Sequence, residues 1–136
     1  MTAIDPNGVP THTFAWGAIK WLVTPDRTGA GLAFGEVVLL PGQGHSRHNH
    51  PDSEVILYVL SGQGEQMVND EEPFAVSAGD TIYVPLAAFH STMNTGWQTM
   101  RLLTVCNPAG PEKELEAAPD FQELPPGSAP IWTRST

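Results

Sequence analysis

The chain is poor in cysteine and in positive charge. Its 136 residues include one Cys, and six Lys and Arg stand against fifteen Asp and Glu, a formal net charge of −9. Cys106 therefore has no partner for an internal disulfide, and a reducing cytoplasmic setting is the simplest expectation. So acidic a surface repels phosphate backbones and anionic lipid, which excludes nucleic-acid and membrane-surface roles. No apolar run is long enough to span a bilayer. The opening Met-Thr-Ala-Ile-Asp-Pro has neither the basic patch nor the apolar stretch of a secretory signal. Nucleophile and phosphate motifs are missing too. There is no Gly-x-Ser-x-Gly, and Gly29-Ala-Gly31 is too short for a phosphate loop and leads into a strand rather than a helix. The acids Asp70, Glu71 and Glu72 fall in a turn and read as solvated charge.

What is abundant is turn chemistry. Thirteen Gly and thirteen Pro are hard to place in a helical bundle and suit short strands joined by tight turns. Strand-like runs recur at 13–23, interrupted by Gly17, and at 32–40, closed by Pro41-Gly42. Further runs follow at 54–60, 63–68, 73–76, 81–84, 90–94 and 99–105. Ser61-Gly62, Asn69-Asp70 and Ala78-Gly79-Asp80 punctuate them. That rhythm predicts an all-β sandwich or barrel. The length suits one domain. Residues 1–110 are read as the barrel with its N-terminal strand, and residues 111–136 as a short helix followed by a Pro-rich arm. Six of the thirteen prolines fall in 107–136. Pro111 to Ala118 has Pro and acids where a helix start favours them, and Pro119 stops it. Phe121 and Trp132 are placed to pin the arm to the barrel or to a second subunit.

Histidine carries the chemistry. Four of the five lie at 45, 48, 50 and 90. In an extended chain alternate side chains share a face, so His48 and His50 project together and converge on one point, as a metal requires. A lone His-x-His carries little weight, but the surroundings add to it. Gly42-Gln-Gly-His-Ser-Arg-His48-Asn-His50, then Glu54, then Gly62, resembles the first motif of the cupin superfamily. Gly79-Asp-Thr-Ile-Tyr-Val-Pro85-Leu-Ala87-Ala-Phe-His90-Ser-Thr-Met-Asn94 resembles its second. Together they span residues 42–94.

The resemblance implies a jelly-roll β-barrel, also called a double-stranded β-helix. It implies one divalent transition metal (Fe, Mn, Ni, Zn or Cu) held by His48, His50 and His90, with the first-motif Glu completing the set. Here the fit slips by one residue. Aligned without gaps from His50 to Gly62, Val55 takes the Glu position and Glu54 sits one place early, which in a regular strand turns it to the opposite face. Glu54 joins the metal only if a bulge adjusts the register. Without it the site is three neutral imidazoles and keeps a charge near +2, suited to anionic or enolate-like chelating substrates. Ala87 replaces the usual Gly of the second motif, at a position where φ > 0 costs Ala more.

His45, Tyr58 and Met93 are the candidates for the pocket wall. Arg47, alternating with His48, points away from the metal, and Asn94 holds a strand end. Cys106 reads as buried and inert. The function expected is a metal-dependent enzyme on a small oxygenated organic substrate, by dioxygenation, decarboxylation, isomerisation or cyclisation. The alternative is a non-catalytic module that binds a small molecule or metal. A DNA-linked sensor is disfavoured, because the chain has neither a helix-turn-helix nor a basic face. Family members also imply a homodimer.

Overall fold

The structure, a computed structural model, describes residues 3–132. Residues 1–2 and 133–136, at the two ends of the expected barrel and arm, lie outside the described residues. Eleven strands are joined by short turns: β1 (Thr11–Phe14), β2 (Gly17–Val23), β3 (Ala33–Leu39), β4 (Gly44–His48), β5 (Glu54–Ser61), β6 (Gln63–Val68), β7 (Phe74–Ser77), β8 (Thr81–Val84), β9 (His90–Met93), β10 (Met100–Asn107) and β11 (Gln122–Leu124). Two single-turn helices accompany them, α1 (Pro25–Thr28) and α2 (Pro111–Glu114). One sheet runs β11-β1-β2-β3-β10-β5-β8 and the other β4-β9-β6-β7, with every pairing antiparallel. The two sheets close over one core as a jelly-roll β-barrel, the fold class the strand rhythm and the resemblance implied. No helix among the described residues is long and apolar enough to cross a membrane.

The period-2 pattern decides what faces inward. Along β5, Val55, Leu57 and Val59 are buried while Ile56, Tyr58 and Leu60 are exposed. Along β10, Met100, Leu102, Thr104 and Cys106 alternate inward in the same way. Phe14, Ile19, Trp21, Leu39, Val76, Ile82 and Val84 complete the core.

The run 13–23 is not one strand but the two arms of a hairpin, β1 and β2, which pair through Phe14↔Gly17. Gly17 is there for space: a Cβ on it would meet the Leu39 Cδ2 at 2.7 Å and the Val38 carbonyl oxygen at 3.0 Å. Helix α1 was not anticipated, although its signals are present. The Thr24 side chain accepts from the Arg27 N–H, Pro25 opens the turn, and Gly29 closes it in the left-handed region. The expected helix over 111–118 is shorter, α2 passing into a 3-10 turn at Leu115–Ala117.

The arm returns to its own barrel. β11 pairs with β1, and the Asn7 side chain bonds both the N–H and the carbonyl of Trp132. The Arg101 guanidinium lies 4.7 Å over the Trp132 ring, and Phe121 packs edge-on against His12. Lys20, buried beneath, donates to the Val9 carbonyl at 3.0 Å.

Candidate metal centre

Three imidazoles come from two neighbouring strands and the turn between β4 and β5. His48 and His90 are direct cross-strand partners in the β4–β9 ladder, so their rings meet at 4.2 Å between centroids. His50 lies beyond the end of β4. It is held there by backbone contacts: the His50 carbonyl accepts from Ser53 and Ala87, and the Asn49 side chain donates to the Ala87 carbonyl. Its ring lies 5.0 Å from His48 and 5.4 Å from His90. One ring nitrogen from each of His48, His50 and His90 falls within 4.8 Å of the other two. Ala87 adopts φ 65°, the left-handed turn the motif's usual Gly takes freely. That turn brings His90 and the His50 loop together.

Each of the three rings has its Nδ1 beside an oxygen. His48 Nδ1 lies 2.7 Å from the Ser46 carbonyl, His90 Nδ1 3.2 Å from the Ala88 carbonyl, and His50 Nδ1 3.4 Å from Glu114 Oε2. Carbonyls and carboxylates only accept, so Nδ1 carries the proton in these bonds and Nε2 keeps the lone pair. Burial disfavours the cationic form. It drives His48 down to about 3, aided by its neighbours His45 and His90. His45 is lowered to about 4 by burial and by His50 and His90. Burial also lowers His50, opposed by the Glu114 carboxylate, and lowers His90. The rings are thus neutral at physiological pH, the state a metal ligand needs. Three neutral nitrogens with their tautomers fixed fit a borderline divalent ion such as Zn, Fe, Ni, Cu or Mn.

The trio opens on a narrow cavity of about 80 Å³. The wall is mostly apolar, with Ile19, Trp21, Val37, Leu39, Leu57 and Leu102 among its residues, and among the described residues no Asp, Glu, Lys or Arg lines it. Trp21 carries a buried indole N–H with no hydrogen-bond partner among the described residues. Cys106 lines the cavity too, its thiol pushed up to about 12 by burial.

The expected site residues divide. His45 lines the cavity, its ring stacked 3.7 Å from His48 on one side and 4.3 Å from Trp16 on the other. Glu54 stands apart from the trio. Its carboxylate accepts from the Tyr83 hydroxyl at 2.7 Å and from the Asn107 amide at 3.2 Å. From Glu54 to Val59 β5 keeps unbroken register with β10, the one shift lying at the far end before Ser61, so no bulge turns Glu54 inward, and Val55 lines the cavity instead. Tyr58 is likewise on the outer face, because it shares the parity of Glu54 and not that of Val55. Met93 does not line the cavity; at the end of β9 it pairs with Gly44 and Glu65. Arg47 points away, donating to the Asn69 carbonyl and lying 4.7 Å from the Phe89 ring centroid. Asn94, fully buried, donates to the Leu39 and Gln98 carbonyls and fixes the chain between β9 and β10.

Two neighbours of the site escaped the sequence reading. Trp16, in the β1–β2 turn, stacks on His45, and Glu114, on α2, reaches His50. No local pattern signals either, since each arrives through the tertiary fold. A helix-start acid just after the last long strand was the only hint of Glu114.

Comparisons with known proteins agree with this construction. The protein CurC of Streptomyces cyaneus, described as a polyketide synthase, is 32% identical over 113 residues, 82% of this chain and 73% of that one. The tetracenomycin polyketide synthase protein TcmJ of Streptomyces glaucescens is 31% identical over 123 residues, 89% of this chain and 80% of its own. Among solved structures, a predicted oxalate decarboxylase from Thermotoga maritima superposes with a TM-score of 0.69 at 21% identity, over 79% of this chain and all of that one. The cupin domain family matches residues 35–106, which hold all three imidazoles. The chain belongs to the cupin family.

Proposed function

We propose that this cupin is a metal-dependent enzyme acting on a polyketide-type substrate through a 1,3-related pair of oxygens. One observation carries the reading. His48, His50 and His90 converge at a cavity whose remaining wall is mostly apolar and, among the described residues, free of carboxylates. Two relatives named for polyketide synthases support the substrate class.

The three imidazoles would hold one divalent transition metal, which when bound would polarise both carbonyls and favour the enolate form of the substrate, whose proton is given up to solvent before it enters. The chain supplies the rest. With neutral imidazoles as its direct ligands, the ion would keep most of its charge, and an enolate would be preferred over a neutral ketone. Ile19, Val37, Leu39, Leu57 and Leu102 receive the flat carbon body and exclude water, which strengthens every charge interaction inside. Oxygenation, decarboxylation, isomerisation and cyclisation of such a substrate all pass through enolate stabilisation. Ring closure of a polyketone is the form the relatives favour. We place the protein in the cytoplasm, as a homodimer joined through the exposed apolar face of β5 and β8, where Ile56, Tyr58, Leu60 and Tyr83 lie.

The test is elemental analysis of protein purified without chelator, followed by titration with a simple 1,3-diketone. A divalent ion near one per chain, lost in His48→Ala, and a diketone absorption shift that needs the ion are expected. Metal-free protein that gains nothing from added Mn, Fe, Ni or Zn overturns the reading. Chelation that lowers only the melting temperature, with turnover unchanged, makes the protein a binding module instead.

A further inference from the structure

Among the described residues, the only carboxylate that reaches the trio comes from outside the family-matched segment. Glu114 lies 64 residues from His50 in sequence, yet its Oε2 is 3.4 Å from the His50 Nδ1. Its place in the chain is set by anchors around α2. Ser53 Oγ donates to the Pro108 carbonyl at 2.7 Å, the Ala109 N–H to the Gly31 carbonyl at 3.0 Å, and the Glu114 N–H to the Gly110 carbonyl at 3.1 Å. Pro111 and Leu115, on the same turn, line the cavity. The segment thus delivers wall and acid together.

His50 needs an acceptor that its neighbours in the trio find locally. His48 and His90 use carbonyls two residues upstream, at Ser46 and Ala88. The chain leaves β4 at His48, and beyond it the His50 ring has no carbonyl at its Nδ1 among the described hydrogen bonds; Glu114 occupies that place. We propose that Glu114 is a positioning residue whose carboxylate accepts the Nδ1–H of His50 and so presents the Nε2 of that ring to the site. This rests on the metal-site reading above. It moves the acidic contribution of the site from β5, where Val55 has replaced it, to the C-terminal segment. Such outer partners fix ring orientation and raise ligand basicity.

The side chain of Glu114 is 56% exposed, so its replacement does not threaten the fold. The experiment uses the full chain with Glu114→Ala and Glu114→Gln. Imidazole ¹⁵N–¹H spectra of the metal-free protein report the His50 tautomer, and Co(II) titration reports affinity through visible absorption. Glu114→Ala is expected to lose the Nδ1–H signature of His50 alone and to weaken Co(II) binding by about 10–100-fold. Glu114→Gln, whose amide oxygen still accepts, restores the signature and most of the affinity. Unchanged His50 spectra in Glu114→Ala overturn the proposal. So does a Glu114→Gln variant with shifted Co(II) bands, which makes the carboxylate a direct ligand. If the wild type takes up no Co(II), the metal reading falls, while the imidazole spectra still decide the role of Glu114.

Discussion

Two groups of three metal-capable side chains occur among the described residues, and they are built differently. His48, His50 and His90 are three imidazoles, half-buried to buried, with their Nδ1 atoms engaged and an apolar cavity in front. His12, Glu116 and Glu123 bring one ring and two exposed carboxylates. There the ring is already paired, its Nε2 3.0 Å from Glu123. It ties β1 to the arm beside the Phe121 ring. Proximity of donor atoms is common to both groups. What sets the first apart is that an acceptor oxygen at each Nδ1 fixes its tautomers and burial keeps its rings neutral, whereas the second is a single hydrogen-bonded pair flanked by exposed carboxylates.

That contrast can be broken most directly by removing one ring from each group. His90→Ala is expected to weaken Zn(II) or Co(II) binding by more than about a hundredfold, beyond the cost of losing an outer partner. His12→Ala leaves it unchanged. Isothermal titration on both variants checks this, and equal losses would erase the distinction.

A smaller effect follows from charge. The folded pKa values of His45 and His48, about 4 and about 3, lie below the ordinary 6.5 of the unfolded chain. Between these values the unfolded chain binds more protons than the folded one, so stability of the metal-free protein rises with pH across that window and is complete above it. Denaturant melts from pH 4 to 7 show the slope, and His48→Gln makes it shallower. A slope unchanged in that variant would mean the ring is solvated.

Smaller again is Ala87→Gly. It relieves an alanine held at φ 65°, in the turn that anchors His50, and is expected to stabilise by about 1 kcal/mol in denaturant melts. The least change is expected from Glu54→Ala, which touches Tyr83 and Asn107 on the outer face and leaves metal affinity as it is. A marked loss of affinity there would return Glu54 to the site.

How much of this was legible depended on range. The alternation of Val55, Leu57 and Val59, and the pairing of His-x-His with a distant His90, are local patterns that survive into the fold because a β-ladder preserves parity. The same parity argument warned that Glu54 sat one place early, and the regular β5 kept it outside. It should also have excluded Tyr58, two-residue steps away from Glu54. It should have excluded Met93 as well, three residues from His90 and so on the face of β9 opposite His90 and Thr92. Glu114 and Trp16 were invisible for another reason. They reach the site across tertiary contacts that no periodicity encodes, one from the segment after β10 and one from a hairpin turn read as continuous strand.

The rings beside the site form a column. Phe14 stacks on Trp16 at 4.8 Å, Trp16 on His45 and His45 on His48. An indole two rings from the proposed ion is a native optical gauge. A paramagnetic ion settling on His48 drains the light of Trp16, and of Trp21 in the cavity wall, in a way the exposed Trp97, at 96% accessibility, does not share. Occupancy of the pocket can then be followed by emission from the unlabelled chain, with Trp16→Phe separating the share that comes through the column from that of Trp21.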